Sequence, residues 1–155
     1  MTTEILHDNF TIERTLAAPA RLVFKAWSDP AAREIWGPPS NDDLLKFTKS
    51  DFRVGGLDVS ICGPEGNMDY RVENYYLDIV QDKRLIFTES ISTEGTLLST
   101  ALATVDLQEK DGNTRMLTTI QIISLAGEEM NEGVSVGWHT ALDNLAIYLG
   151  RIKHN

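Results

Sequence analysis

The sequence contains very little cysteine: Cys62 is the only one among 155 residues. A single cysteine excludes an intramolecular disulfide and a cysteine-based metal site, and it suits a reducing compartment. Long apolar runs are missing as well, since no stretch of eighteen or more apolar residues occurs. The start, Met1 to Asn9, is short and polar and lacks the apolar core of a secretory leader. These absences predict a soluble, cytoplasmic protein without membrane insertion.

Basic residues are also few. The chain has 14 Lys and Arg against 23 Asp and Glu, which gives a formal net charge of −9. Such a charge repels phosphate backbones and anionic membrane surfaces. The nearest approach to a basic cluster is Arg14, Arg21, Lys25 and Arg33, whose spacing is typical of a solvated helix face. Nucleic acid is therefore not expected as a partner.

Signatures of metal and cofactor sites are absent too. The three histidines, His7, His139 and His154, do not converge by any spacing typical of metal ligands. Gly55-Gly56 follows a predicted strand but leads into another strand, whereas nucleotide-binding glycines lead into a helix. The sequence predicts no metal and no cofactor.

One stretch resembles a catalytic motif. Residues 133–137 read G-V-S-V-G, the pattern of a serine-hydrolase nucleophile elbow. A working elbow lies on a strand-to-helix turn above a parallel sheet, with its histidine far later in the chain. Here the pattern falls in a predicted helix, so Ser135 is interpreted as an ordinary helix residue and His139 as a solvent-edge or hydrogen-bonded histidine. No catalytic residue is assigned.

The strongest positive signal is a long helix from Glu128 to Ile152. Its acidic start and its basic end, Arg151 and Lys153, follow the order that the helix dipole favours. Apolar residues recur in it at three-and-four spacing, which predicts one buried face: Val134, Trp138, Ala141, Leu142, Leu145, Leu149 and Ile152. Gly133 and Gly137 are costly in a helix. They indicate either the close approach of a strand or a space where a ligand sits.

Strands dominate the rest of the chain. A strand over residues 9–17 precedes two short helices, 20–27 and 31–35, and the loop Trp36–Asn41. Six further strands separated by short turns are predicted over residues 44–53, 57–62, 68–79, 84–92, 98–109 and 114–125. In the 68–79 strand the apolar parity changes, which predicts a bulge near Glu73 and Asn74.

This order predicts an α+β fold as a single domain over residues 1–155. A seven-stranded antiparallel sheet of this size cannot bury its inner face on itself, so the long C-terminal helix is expected to cover it.

Large aromatic and methionine side chains are placed where they could line a cavity between sheet and helix. Such residues line small-molecule pockets, and they also simply fill cores. The candidate pocket residues are Trp36, Phe52, Met68, Tyr70, Tyr76, Phe87, Met130, Gly133, Val134, Gly137 and Trp138.

Several local strings resemble one known family. They are Ala18-Pro19 with Val23 to Pro30, Trp36-Gly37-Pro38, Asp51 to Gly56, Gly63 to Gly66, Tyr76 to Val80 with Arg84 to Thr88, and Gly137-Trp138 with Leu142 to Leu145 and Tyr148-Leu149. In this order they resemble the activator of heat-shock protein 90 ATPase homologue-like group of the SRPBCC superfamily, which also holds START and birch-pollen-allergen-like proteins. Membership implies a helix-grip fold around a hydrophobic pocket but implies no single activity. Where relatives often have glycine before the Tyr76 strand, this chain has Asn74.

Three functions follow as hypotheses. The first is non-enzymatic binding of a small hydrophobic or amphipathic ligand between the sheet and the long helix. The second is an enzyme of the cyclase or hydrolase-like kind, which would need a titratable side chain with a displaced pKa inside the cavity. The third is a chaperone-interaction module, by family analogy only. The exposed strands are also compatible with a homodimer.

Overall fold

The computed structural model describes residues 4–152 of the chain. The elements are β1 (Leu6–Leu16), α1 (Ala20–Ser28), α2 (Pro30–Trp36), β2 (Asp43–Lys49), β3 (Leu57–Pro64), β4 (Tyr70–Val80), β5 (Arg84–Thr93), β6 (Thr96–Lys110), β7 (Asn113–Ser124) and α3 (Glu128–Ile152). The predicted α+β fold and its element order are confirmed. Lys153 and His154 lie outside the described residues.

All seven strands form one antiparallel sheet in the order β1-β7-β6-β5-β4-β3-β2. The strands from β2 to β7 pair with their neighbours in sequence, as the short turns predicted. β1 instead pairs with β7, because the two short helices carry the chain from β1 to the opposite edge of the sheet. β5 is thereby the middle strand.

The two short helices are fixed by local chemistry. Asp29 caps α2 by accepting a hydrogen bond from the backbone N–H of Ala31 at 3.0 Å, and Pro30 follows at the first helical position. The indole N–H of Trp36 donates to the carbonyl of Ala26 at 3.0 Å and so ties the end of α2 to α1. The loop after α2 therefore starts from a defined position.

Helix α3 packs its apolar face against the sheet and the short helices. Its buried residues include every predicted stripe position from Val134 to Leu149, while Ile152 is half-buried at the end. Leu142 and Leu145 are 0 % exposed and join the main core with Ile12, Phe87 and Ile120. The helix that the periodicity predicted is therefore the centre of the core.

Three predicted details are wrong. β1 begins at Leu6 rather than at Asn9, so residues 6–8 of the polar start also belong to the strand. β2 ends at Lys49 rather than Arg53, because residues 51–56 form a turn in which the backbone N–H of Gly56 donates to the carbonyl of Arg53 at 2.8 Å. The bulge of β4 lies between Tyr76 and Asp78, not near residues 73–74.

The misplaced bulge has a physical reason. The bulge prediction depends on an apolar set of one parity that includes Tyr75 and Leu77, yet these residues are 44 % and 46 % exposed on the outer face of the sheet. Asn74 and Tyr76 are the buried residues of this part of β4. Because these apolar residues occupy solvent-facing positions, the apolar pattern changes parity although the strand itself has no bulge at residues 73–74.

None of the helices in the described range 4–152 combines the length and the hydropathy that crossing a bilayer requires.

Candidate functional site

A cavity of about 580 Å³ lies between the first half of α3, the end of α2 with its following loop, and the inner face of β2 to β5. Its lining residues come from each of these elements. They are Trp27, Arg33, Trp36, Gly37, Pro39, Ser40, Asp43, Leu45, Ser60, Cys62, Tyr70, Val72, Asn74, Glu89, Ile91, Glu129, Met130, Gly133, Val134, Val136, Gly137, Trp138 and Ala141. The wall is mostly apolar, and the sheet contributes the polar side chains of Asp43, Ser60, Asn74 and Glu89.

The structure brings most of the candidate pocket residues together on this wall. Those that line the cavity are Trp36, Tyr70, Met130, Gly133, Val134, Gly137 and Trp138. That they contact a ligand stays a prediction.

The other four candidates do not line the cavity. Phe87 is 2 % exposed in the core, and Phe52 lies in the turn after β2, with its ring edge-to-face on Tyr76 at 4.9 Å between centroids. Tyr76 is buried against Phe52 and Phe87. Met68 belongs to the loop before β4, outside the lining. Aromatic type alone did not separate core-filling from cavity-lining positions.

The two helix glycines have different environments. A Cβ atom at Gly133 would meet nothing within 4 Å, so this position borders open space. A Cβ atom at Gly137 would lie 2.8 Å from Cβ of Pro39, a distance that forces movement. Gly137 therefore allows the close approach of a loop, where a strand was expected, whereas Gly133 is exposed and lines the cavity.

A row of polar side chains crosses the inner face of three neighbouring strands. Asn74 of β4 pairs with Asp58 of β3 on one side and with Glu89 of β5 on the other. Asp58 and Asn74 are 2 % and 1 % exposed. Buried polar groups of this kind need partners, because an unsatisfied one costs about 1–3 kcal/mol.

Arg33 of α2 supplies most of those partners. Its guanidinium donates to Asp58 Oδ2 at 3.0 Å, to the Tyr76 hydroxyl at 3.0 Å and to Asn74 Oδ1 at 3.3 Å. It also lies 4.8 Å from the centre of the Phe47 ring. The guanidinium thus holds α2 to the sheet.

Asp58 is satisfied from further directions. It accepts from the Tyr76 hydroxyl at 2.5 Å and from the backbone N–H of Asp51 at 2.7 Å. Burial, first of all, raises the pKa of the Tyr76 phenol, so this hydroxyl stays protonated and acts as a donor. This half of the polar row is structural.

Glu89 forms the other half and differs from Asp58. Its carboxylate accepts from the indole N–H of Trp138 at 3.2 Å and from Asn74 Nδ2 at 3.4 Å. Burial raises the pKa of Glu89 above its usual 4.5, and the two hydrogen bonds and the charge of Arg33 offset this only in part. A carboxyl group with a raised pKa on a cavity wall is a functional-site candidate.

Cys62 also borders the cavity but is chemically quiet. Burial, and then the charges of Asp43 and Glu89, raise the pKa of its thiol to about 11. At neutral pH it is the unreactive thiol form.

The remaining catalytic candidates stay outside the site. Ser135 lies within α3, as predicted, and its carbonyl oxygen is 2.8 Å from Nδ1 of the exposed His139. Within residues 4–152 no group of three or more His, Cys, Asp or Glu side chains has the arrangement of a metal site.

The sequence carried a signal for the polar row that its analysis missed. Inward positions of β5 run Leu85, Phe87, Glu89 and Ile91, so a carboxylate interrupts an otherwise apolar parity. In β3 Asp58, Ser60 and Cys62 share one parity, and all three are buried. A polar residue at an inward position is the feature that could have found them.

Comparison with known proteins agrees with this architecture. Residues 17–150 match the model of the family described as activator of Hsp90 ATPase homolog 1-like protein. The chain belongs to this family. A search of curated proteins found no significant match.

Several solved structures share the fold over nearly the whole chain. An uncharacterised protein from Rhizobium leguminosarum is 31 % identical, with a TM-score of 0.81 over 96 % of this chain and 97 % of its own. A protein from Rhizobium loti is also 31 % identical, with a TM-score of 0.80 over 94 % and 99 %. An AHSA1-like protein from Aeromonas hydrophila is 18 % identical and shares the fold at a TM-score of 0.71 over 96 % of both chains.

Proposed function

We propose that this protein binds a small hydrophobic or amphipathic molecule in the cavity between the sheet and α3, without catalysing a reaction. The observation that carries the proposal is the cavity itself, at about 580 Å³ with a mostly apolar wall. Pockets for small molecules typically measure about 300–1,000 Å³ and combine apolar walls with a few polar groups.

Gly133 supports the proposal independently. Glycine in a helix costs about 1 kcal/mol relative to alanine, and no neighbouring atom requires its small size. Gly133 lines the cavity at an exposed position, so the missing side chain leaves that part of the wall open.

A matched pair of substitutions tests the proposal. Gly133→Leu places a side chain in the cavity, whereas Gly150→Leu adds the same side chain on the same helix, where it also meets nothing within 4 Å but away from the lining. We expect the apolar fluorescent probe N-phenyl-1-naphthylamine to bind the wild-type protein and Gly150→Leu, and to bind Gly133→Leu at least about tenfold more weakly.

Equal probe affinity in both variants would contradict binding in this cavity. If the probe does bind in the cavity, native mass spectrometry of protein purified from its own source identifies any co-purifying molecule. Gly137→Leu is less suitable for blocking the cavity, because the Cβ atom of the new side chain would clash with Pro39.

A second candidate function is acid–base catalysis of the cyclase or hydrolase-like kind. It is favoured by Glu89, a cavity-wall carboxyl group whose pKa burial raises. Turnover of a bound molecule that Glu89→Gln abolishes without weakening binding would establish it.

Contact with a chaperone and formation of a homodimer stay predictions, and so does the cytoplasmic location. The exposed apolar residues Tyr75 and Leu77 on the outer sheet face are compatible with either contact.

A further inference from the structure

We propose that the cavity is selective for molecules with a cationic amine at one end, which Glu89 binds through its carboxylate. This inference rests on the proposed binding function and names the chemistry of the ligand. It follows from the balance of charges, from the hydrogen bonds that Glu89 already makes and from the aromatic walls.

The charges on the cavity wall are unequal. Asp43, Glu89 and Glu129 contribute carboxylates, and Arg33 contributes the one basic group among the lining residues in the described part of the chain. Arg33 is already paired with Asp58, whose side chain is 2 % exposed. An anionic ligand would therefore meet a wall with an excess of negative charge, and a cationic ligand would reduce it.

Glu89 has no cation of its own. Within residues 4–152 no Lys, Arg or His side chain forms an ion pair with it, and its partners are the neutral Trp138 and Asn74. A buried carboxylate is stabilised most by a paired, hydrogen-bonding cation. An ammonium group in the cavity would supply that cation.

The carboxylate also has room for a further hydrogen bond. Each oxygen accepts one hydrogen bond from the protein, Oε1 from Trp138 and Oε2 from Asn74. A carboxylate has about four acceptor positions, so acceptor capacity is left for a ligand. The inner-face position of Glu89 on the middle strand directs that capacity toward the cavity.

The aromatic walls fit the same chemistry. Trp27, Trp36, Tyr70 and Trp138 line the same cavity as Glu89, and Trp138 is hydrogen-bonded to it. Aromatic faces attract ammonium groups and also cover the apolar part of an amphipathic molecule. The walls therefore suit both ends of a hydrophobic amine.

Three ligands of equal chain length test the selectivity. Octylammonium, octanol and octanoate are each titrated against N-phenyl-1-naphthylamine bound to the wild-type protein at neutral pH. We expect octylammonium to displace the probe at a concentration at least about tenfold lower than octanoate. Equal displacement, or a preference for octanoate, overturns the inference.

Variants then assign the selectivity to one residue. Glu89→Gln should abolish the preference for octylammonium over octanoate. Asp111→Asn removes the same charge from the β6–β7 turn at the far end of the sheet, and Asn also tolerates the positive φ of 55° there. This control should keep the preference, whereas a preference that survives in Glu89→Gln overturns the role of Glu89.

The outcomes separate the two proposals. Displacement by octanol without any preference for the amine leaves the binding function standing and overturns the amine selectivity. Failure of the probe and of all three ligands to bind overturns the binding function itself. If Glu89→Gln does not fold, the comparison of the three ligands on the wild-type protein still decides whether the cavity prefers amines.

Discussion

The indole N–H of Trp138 donates to Oε1 of Glu89 across 3.2 Å. This bond joins the long helix to the middle strand of the sheet, and both residues line the cavity. The indole ring of Trp138 also stacks against the rings of Trp27 and Phe87, whose centroids lie 6.2 and 6.3 Å from its own. The core therefore fixes the position of the acidic group on the cavity wall.

Replacing Glu89 with Gln should change how stability depends on pH. Burial raises the pKa of Glu89 above 4.5 in the folded chain, so the folded chain holds this proton more tightly than the unfolded chain. The stability that this provides is fully present below pH 4.5 and is lost as the pH rises to the raised pKa. The free energy of unfolding of Glu89→Gln minus that of wild type should therefore increase with pH.

Urea unfolding measured from about pH 4.5 to about pH 8 checks this. The charge of Arg33 in α2 acts on Glu89, and the other carboxylates of the cavity wall are Asp43 of β2 and Glu129 of α3. All three residues are kept in the variant. Asp111→Asn is the control and should show no comparable change. A difference between Glu89→Gln and wild type that is constant over this range would contradict the raised pKa.

Removal of the buried guanidinium should destabilise the fold. Arg33→Met leaves Asp58, 2 % exposed, without its cation, and breaking a buried ion pair from one side costs about 3–5 kcal/mol. Arg53→Met breaks another ion pair with the same distance of 3.0 Å, but there the arginine side chain is 68 % exposed. Its loss should cost at most about 1 kcal/mol.

Urea unfolding of both arginine variants gives the comparison. The double variant Arg33→Met, Asp58→Asn should recover part of the stability, because no unpaired charge then remains buried. Equal effects of Arg33→Met and Arg53→Met would show that the buried pair contributes no more than a surface pair.

Alanine at the two helix glycines should act in opposite directions. Gly133→Ala should raise the free energy of unfolding by about 1 kcal/mol, since alanine is the better helix former and its Cβ meets open space. Gly137→Ala should lower it, because its Cβ lies 2.8 Å from Pro39 and forces the loop away. Thermal unfolding of the two variants measures the sign of each change in stability. If both substitutions stabilise the protein, the loop at Pro39 can move without loss of stability.

The sequence predicted the fold well because its strongest signals are local. Turn residues such as Gly63-Pro64-Glu65-Gly66 separate the strands, and the three-and-four spacing from Val134 to Leu149 identifies the buried helix face. Both features act within a few residues of the chain, so no knowledge of distant contacts is needed. Of the exceptions, the bulge prediction for β4 failed where apolar residues face solvent, and the end of β2 was placed too late because residues 51–56 form a turn.

The polar half of the site could not be predicted in the same way. Asp58, Asn74 and Glu89 become neighbours only through the pairing register of three strands, and Arg33 reaches them from a helix far away in sequence. The register depends on the whole sheet. The part of the cavity wall formed by α2 and α3 was predicted more successfully. Its residues Trp36, Met130, Gly133 and Trp138 lie on elements whose positions follow from the fold.

The central place of β5 has a consequence for how specificity could change. This strand is hydrogen-bonded on both sides, and such strands are among the last parts of a protein to open in hydrogen exchange. Glu89 and Ile91 therefore form a rigid base, while the opposite wall is the loop after α2, which touches α3 through Pro39 and Gly137. On the proposed function, substitutions in that loop would change which ligand shapes fit the cavity. Substitutions at Glu89 would change which ligand charge is preferred. Shape preference and charge preference can therefore change independently among related proteins.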